Sequence, residues 1–350
     1  MIEPKQLKPI LENLGGYKRP TIHIAGTKGK GSTTMLLAEI LRMKNLRVGQ
    51  FISPYILDER ECLQINGEMI SEDRFLSLRA RVPKTLSPFE QRTLMALLYF
   101  EEEKCDFVVL ETGWGGERDA TNVVESKALT ILTHIELEHT STLGNSLEEI
   151  LEKKLGITRP HVPLLCSINT DDALLEIIKS YKLQTILAPE LRLGMHHPES
   201  VGLAIEAAKE LGFTLDKEEL DTLASFKLPG RFEIIEFGIH KLILDGAHTR
   251  DSVDFVIGQV KKYAEENEGR KINWAIHFLK DKAEDLSDRF PHGHTVWIPI
   301  DDERAGSNPA EHHVQKIQPL LEGLKEKKTP QTLVIMGSFK LIAATKKALN

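Results

Sequence analysis

Cysteine is scarce in this chain. The three present, Cys62, Cys105 and Cys166, are odd in number and far apart. They form neither a zinc-ligand spacing nor a disulfide framework, so reduced thiols in a reducing compartment are expected. Long apolar runs are also missing. Nothing approaches the roughly 18 residues of a membrane span, and the opening MIEPKQLKPILENLGG lacks the apolar stretch of a secretory leader. Positive charge is not in excess. The net charge of -7 disfavours nucleic acid as the main partner, because phosphate backbones are bound by clustered Lys and Arg. These absences predict a cytoplasmic protein with neither nucleic acid nor a membrane as partner.

What is present is ordinary globular material. At 41% hydrophobic and 28% charged, the 350 residues hold enough apolar content for sizeable cores and suffice for two domains. Short apolar runs alternate with longer amphipathic stretches. Residues 21–25 read as a strand, 32–44 as a helix with Leu36, Leu37, Ile40 and Leu41 on one face, and 47–52 as a second strand. A helix over 90–103 precedes buried strands at 106–110 and 128–133. Ser146-Leu147-Glu148-Glu149 is a capping-box signal for a helix ending near Lys154 or Leu155. A strand at 162–166, a helix at 171–181, a strand at 185–188 and helices near 198–211 and 217–225 follow. Continuous apolar strands separated by helices predict a parallel sheet covered on both faces.

Leu228-Pro229-Gly230 is a turn signal, and it sets domains over 1–228 and 229–350. Beyond it the pattern restarts with two strands joined by a short turn, 232–236 and 241–244. A helix from 251, a strand at 273–278, a helix near 281, a strand at 295–298, a helix from 309, a strand at 332–336 and a last helix complete it.

The run Gly26-Thr27-Lys28-Gly29-Lys30-Gly31-Ser32 lies between the first predicted strand and helix, the setting that makes a glycine-rich motif informative. Glycines let backbone N–H groups converge on phosphate oxygens, and the helix N-terminus adds partial positive charge. Lys30 would neutralise the β- and γ-phosphates, and Ser32 or Thr33 would offer a hydroxyl to Mg2+. The run departs from G-x-x-x-x-G-K-[ST] at two positions, Ile24 and Gly31. A ligand-free turn is the weaker alternative. The expected fold class is α/β: a P-loop NTPase-like parallel-sheet ATPase domain, then a smaller Rossmann-like α/β domain.

Residues 111–122, ETGWGGERDATN, follow a predicted buried strand and belong at the sheet's carboxyl edge, where open α/β folds bind ligands. Glu111 is a candidate Mg2+ ligand, since Mg2+ prefers oxygen donors. A tight turn before a helix cap would use the same residues. His139, after the next strand, is either a metal ligand or a polar loop residue. Lys153 and Lys154 suit a helix C-terminus through the dipole alone. Asp245 and His248 sit in a strand-to-helix turn that is either a ligand loop or a helix cap, and Arg231 either reaches phosphate or is solvated. His196-His197, His312-His313 and His292-Gly293-His294 have no partner cluster at ligand spacing and are assigned no metal.

Together these runs resemble the folylpolyglutamate synthase and dihydrofolate synthase family of the Mur ligase superfamily. GTKGKGS is similar to that family's phosphate loop, and Phe51-Ile52-Ser53-Pro54 to its second loop. Ile65-Asn66-Gly67, Ile70-Ser71-Glu72, ETGWGGERDATN, Leu137-Glu138-His139 with Leu143-Gly144, LPGRFE over 228–233 and LDGAH over 244–248 follow its pattern in order.

The resemblance implies an ATP-dependent amide ligase that adds L-glutamate to a folate or dihydropteroate carboxylate through an acyl phosphate, with Mg2+. It implies that Gly26, Thr27, Gly29, Lys30, Gly31, Ser32 and Thr33 cradle the triphosphate, with Ser32 also on its Mg2+. Ser53, Glu111 and His139 would ligate a second Mg2+. Lys154 falls where the family has a carbamylated lysine, Asn122 would contact phosphate, and Arg231, Asp245 and His248 would bind ATP from the second domain. Lys30, Lys154 and His248 are the implied catalytic residues, and a monomer is expected. Departures from the family pattern are Lys28, Tyr55, Glu117-Arg118, Ser200 and Thr249-Arg250. A Mur-type ligase for another acid and amino acid, or a non-catalytic ATP-binding regulator, are the alternative functions; the retained Lys30, Glu111, His139, Lys154, Asp245 and His248 count against the second.

Overall fold

The run Thr21–Ala25 forms a strand (β1) that is buried along its whole length, its polar Thr21 and His23 included. The computed structural model describes residues 3–137, 140–267, 270–278, 286–291, 293–300, 313–314 and 316–349. The chain falls into two compact units, Met1–Phe226 and Lys227–Asn350. No described helix is long and apolar enough to cross a membrane.

In the first unit β1 is joined by Val48–Phe51 (β2), Leu63–Ile65 (β3), Glu68–Met69 (β4), Phe107–Glu111 (β5), Lys127–Leu132 (β6), Leu164–Ser167 (β7) and Thr185–Ala188 (β8). They make one eight-stranded sheet in the order β4-β3-β2-β5-β1-β6-β7-β8. Neighbours from β2 to β8 are parallel. The parallel prediction is incomplete at one edge, where β3 and β4 add antiparallel pairings. Asn66 (φ 52°) and Gly67 (φ 81°) turn that hairpin, in the pattern that matches the twist of paired strands.

The helices of this unit are Pro4–Asn13 (α1), Lys30–Met43 (α2), Glu72–Arg81 (α3), Pro88–Glu102 (α4), Thr140–Leu143 (α5), Leu147–Leu155 (α6), Asp172–Ser180 (α7), Pro198–Glu210 (α8) and Lys217–Ser225 (α9). Helix α2 buries more than the one predicted face: Met35, Ala38 and Glu39 are inside as well. It packs between the sheet and α8. The Glu39 carboxylate is matched by Arg42, at 2.6 Å from both Nε and Nη2. Helix α4 starts earlier than its predicted span because Ser87 and Glu90 close a capping box ahead of Pro88. One apolar cluster gathers Phe51, Leu63, Phe75, Leu94, Phe100 and Leu110. Another gathers Leu132, Ile150, Leu151, Leu155 and Leu164. Each such side chain contributes about 1.5–3 kcal/mol on full burial.

The second unit has Glu233–Phe237 (β9), His240–Asp245 (β10), Lys271–Ile276 (β11), Thr295–Trp297 (β12), His313–Val314 (β13) and Gln331–Met336 (β14). Their order is β13-β12-β11-β14-β10-β9, parallel except for the β9–β10 pair. Its helices are Arg250–Glu266 (α10), Ile317–Lys325 (α11) and Phe339–Leu349 (α12). The helix predicted near Asp281 lies outside the described residues, as do the first residues of the helix predicted from Pro309.

Because β2, β5, β1 and β6 are adjacent and parallel, their carboxyl ends share one sheet edge. The loops that follow them, with the glycine-rich run and ETGWGGERDATN, therefore gather there.

Candidate active site

The chain leaves β1 at Gly26, whose φ is 148°. A Cβ at Gly26 would lie 1.8 Å from Thr133 Oγ1, so only glycine fits where the loop passes the end of β6. Backbone bonds tie the two loops together, Thr27 N–H to His134 O at 2.7 Å and Thr133 N–H to Ala25 O at 2.8 Å. Gly29 (φ 83°) is the N-cap of α2, with no side-chain cap and no acidic residue in the first turn. The first-turn N–H groups have no intrahelical acceptor, and with the dipole they make an anion site.

Lys30 folds its ammonium back over this loop, donating to Gly26 O at 3.0 Å and Thr27 O at 3.3 Å. Ser32 is half-buried, whereas Thr33 is fully buried and its Oγ1 has no hydrogen-bond partner among the described residues. Of the two candidate hydroxyls, Ser32 is therefore the one within reach of a ligand. Lys28 is ion-paired with Glu136. That carboxylate also meets His134 Nε2 at 3.1 Å. The Glu136 hydrogen bond raises the His134 pKa above that of an ordinary imidazole, while burial and the Lys28 charge oppose the shift.

Glu111 ends β5 opposite Ile24 of β1 and is buried. Its Oε2 accepts the Ser53 N–H at 3.0 Å, which joins the loop after β2 to the strand beside the phosphate loop. Glu111 and Ser53 are thus brought together. His139, the third expected ligand of that set, lies outside the described residues.

Lys154 is 2% exposed, in the last turn of α6. Its Nζ donates to Gly26 O at 2.8 Å, so Lys154 joins Lys30 on one carbonyl. Asn122 is also buried, but its polar atoms are engaged within the protein. Nδ2 donates to Glu117 O and Gly156 O, each at 3.0 Å, and Oδ1 accepts from Lys127 and Arg159 at 2.8 and 3.1 Å. Glu117 and Arg118, which depart from the family pattern, are exposed.

Asp119 and His23 carry no chemistry in the sequence reading. Asp119 is fully buried and accepts from Trp114 N–H and from both the N–H and hydroxyl of Thr121. Thr121 Oγ1 lies 2.8 Å from His23 Nε2 in β1. With its hydroxyl given to Asp119, Thr121 accepts here, so His23 carries its proton on Nε2. Burial holds the His23 pKa well below the usual imidazole value. The Asp before Ala-Thr-Asn was a readable cap signal, but His23 sits in an apolar strand and gives none.

In the second unit Arg231, Asp245 and His248 share one loop cluster. Arg231 Cζ stacks 5.1 Å from the Phe339 ring centroid, and its Nη1 donates to Pro229 O at 3.1 Å. Asp245 ends β10 and accepts Phe232 N–H and Ala247 N–H, both at 2.7 Å. His248 Nδ1 donates to Gly246 O at 2.9 Å.

The Mur ligase middle domain profile matches residues 24–235. The chain belongs to the Mur ligase family. It is 28% identical to the dihydrofolate synthase/folylpolyglutamate synthase of Bacillus subtilis, over 79% of this chain and 75% of that one. It is 31% identical to a putative folylpolyglutamate synthase of Caenorhabditis elegans over 67% of this chain, and spans about half, 54%, of that longer relative. A crystal structure of the bifunctional folylpolyglutamate synthase/dihydrofolate synthase of Yersinia pestis, complexed with AMPPNP and a Mn ion, is similar over 100% of this chain and 94% of that one, with TM-score 0.85 and 25% identity. Within the Mur ligases, these similarities lie in the folylpolyglutamate and dihydrofolate synthase branch.

Proposed function

We propose that this Mur ligase adds L-glutamate to the carboxylate of a folate or dihydropteroate, using ATP and Mg2+. The observation that carries the reading is the convergence of Lys30 and Lys154 on Gly26 O, at the uncapped start of α2 and on the sheet edge that holds Glu111 and Ser53. Two ammonium groups and free first-turn N–H groups suit a triphosphate. Among the described residues, the Glu111 carboxylate and the Ser32 and Ser53 hydroxyls offer oxygen donors of the kind that suit Mg2+. When bound, Mg2+ neutralises phosphate charge that would repel an incoming carboxylate.

The chain's own residues would divide the work. Lys30 would hold the terminal phosphates as the γ-phosphoryl group passes to the substrate carboxylate. Lys154 would add a second nitrogen beside that group. Within the second unit Asp245 would brace the loop that carries Arg231 and His248, which the family resemblance assigns to nucleotide. The amine of glutamate then attacks the acyl carbon, the bond to phosphate breaks, inorganic phosphate leaves, the nitrogen gives up a proton and an amide forms. The same reading takes the protein as a cytoplasmic monomer without nucleic acid, in keeping with its net charge of -7.

The test is incubation with ATP, Mg2+ and glutamate against reduced folates and dihydropteroate, followed by mass spectrometry. A product heavier by one glutamyl unit is expected. Phosphate release driven only by some other acid would overturn the folate assignment and keep the ligase. Nucleotide binding without turnover on any acid and amine would leave a regulator.

A further inference from the structure

The ETGWGGERDATN loop and the last turn of α6 are locked by a buried set of hydrogen bonds around Asn122 and Lys127. Lys127 opens β6 and is 8% exposed. Its Nζ donates to Asn122 Oδ1 at 2.8 Å and to Ile157 O at 2.6 Å. Asn122 donates onward to Gly156 O and Glu117 O. Arg159 Nη1 adds bonds to Gly156 O and Ile157 O, both at 3.4 Å, and Glu117 N–H reaches Lys153 O at 2.8 Å. Carbonyls left without partners at and just past the end of a helix are taken up by Glu117 N–H and Asn122 from the loop, by Lys127 from β6 and by Arg159. The two segments touch closely: a Cβ on Gly116 would lie 2.8 Å from Lys154 O. Lys154 stands in this turn, with its Nζ on Gly26 O.

We propose that Lys127 is a positioning residue for Lys154: by tying Asn122 to Ile157 it fixes the last turn of α6, and so sets where the Lys154 nitrogen meets the phosphate loop. The proposal rests on the ligase reading above, in which Lys154 works beside the phosphates. Removing Lys127 frees no atom of the phosphate loop itself. Its effect must travel through α6, and a displacement of about 1 Å in a reacting group is enough to slow a reaction substantially.

The chemistry of the amine agrees. Burial, then the Arg159 guanidinium, push the Lys127 pKa down to about 6, with Glu125 opposing. At neutral pH it is an uncharged amine whose two N–H groups match its two acceptors. Below that value a third N–H appears, and the new positive charge stands against Arg159. The other charged or titratable groups acting with it are Glu125 and, on β1, His23.

Lys127→Met keeps the chain length and removes the donors. Asn122 Oδ1 and Ile157 O retain Arg159, so the fold is expected to survive. The expected result is a kcat for glutamate ligation lower by about tenfold with KM for ATP unchanged to within about twofold. Hydrogen exchange at amides 153–158 should rise in the ligand-free protein. Wild-type kcat should decline below about pH 6, and the decline should be smaller in the variant. Lowered stability with kcat and the pH profile unchanged would make Lys127 merely structural and overturn the proposal. Exchange separates the two possible failures. A rise at 153–158 while the wild type ligates no glutamate overturns the ligase reading and supports the clamp; no rise overturns the clamp, whatever the activity.

Discussion

Lys30 and Lys154 place their ammonium groups on the same atom: Gly26 O accepts from Lys30 Nζ at 3.0 Å and from Lys154 Nζ at 2.8 Å. They arrive from opposite helix ends, Lys30 at the start of α2 and Lys154 in the last turn of α6. Like charges this close repel. A carbonyl dipole offsets part of that repulsion, and a phosphate would offset more while also meeting the first-turn N–H groups of α2. The loop is in this sense arranged for an anion, with one half-buried lysine and one buried lysine on the same carbonyl.

Lys30→Ala is expected to remove activity and leave the fold. The Lys30 ammonium bonds to loop carbonyls and not to core groups, so stability should change by less than about 1 kcal/mol. Loss of a charged donor to developing phosphate charge should cost about 10²–10³-fold in kcat. Phosphate release and a thermal melt on the same sample check both halves. Collapse of the fold would reassign Lys30 to structure, and near-normal turnover would remove it from the site.

Gly26→Ala attacks the loop from the other side. The added Cβ would sit 1.8 Å from Thr133 Oγ1 at a φ of 148°, so the loop must shift or strain. A stability loss of about 1–3 kcal/mol is expected from the overpacking. Nucleotide affinity should fall with it, because Gly26 O anchors both lysines. Urea unfolding and titration with a non-hydrolysable ATP analogue measure the two effects. An unchanged unfolding midpoint would mean that the loop has room the structure does not give it.

The sheet was legible in the sequence because β1, β5 and β6 are short, mostly apolar runs, interrupted only by such residues as His23 and Lys127, and strands covered on both faces read that way. The glycine-rich loop was legible because its residues are contiguous. The β3–β4 hairpin was not predicted as strands: three and two residues are too short for an alternation to register, although Asn66-Gly67 marks the turn. The burial of α2 on both sides was hidden because periodicity reports one face and cannot see α8 packing on the other. Glu136 was illegible as the partner of Lys28, and Lys127 as the partner of Asn122 and Ile157, because those contacts exist only after the sheet has formed. Asp245 was left open between a ligand and a cap, and it accepts two backbone N–H groups in its own loop.

Asp245 also gives the second unit a pH signature. Burial raises its pKa from the usual 3.8 to about 6, against the backbone bonds from Ala247 and Phe232 and the charge of Arg231. The folded state therefore binds this proton more tightly than the unfolded chain. The stabilisation from the protonated form is full below about pH 3.8 and is lost as the pH rises through about 6. Asp245→Asn removes that titration. It also leaves a single acceptor oxygen for two buried N–H groups, which costs about 1–3 kcal/mol. Calorimetric melts between about pH 4 and pH 7 should show the variant less stable at the acid end, with the gap narrowing as the pH rises and the wild type loses its protonated carboxyl. Parallel pH profiles for the two proteins would mean that Asp245 ionises at its ordinary value and that its two hydrogen bonds outweigh its burial.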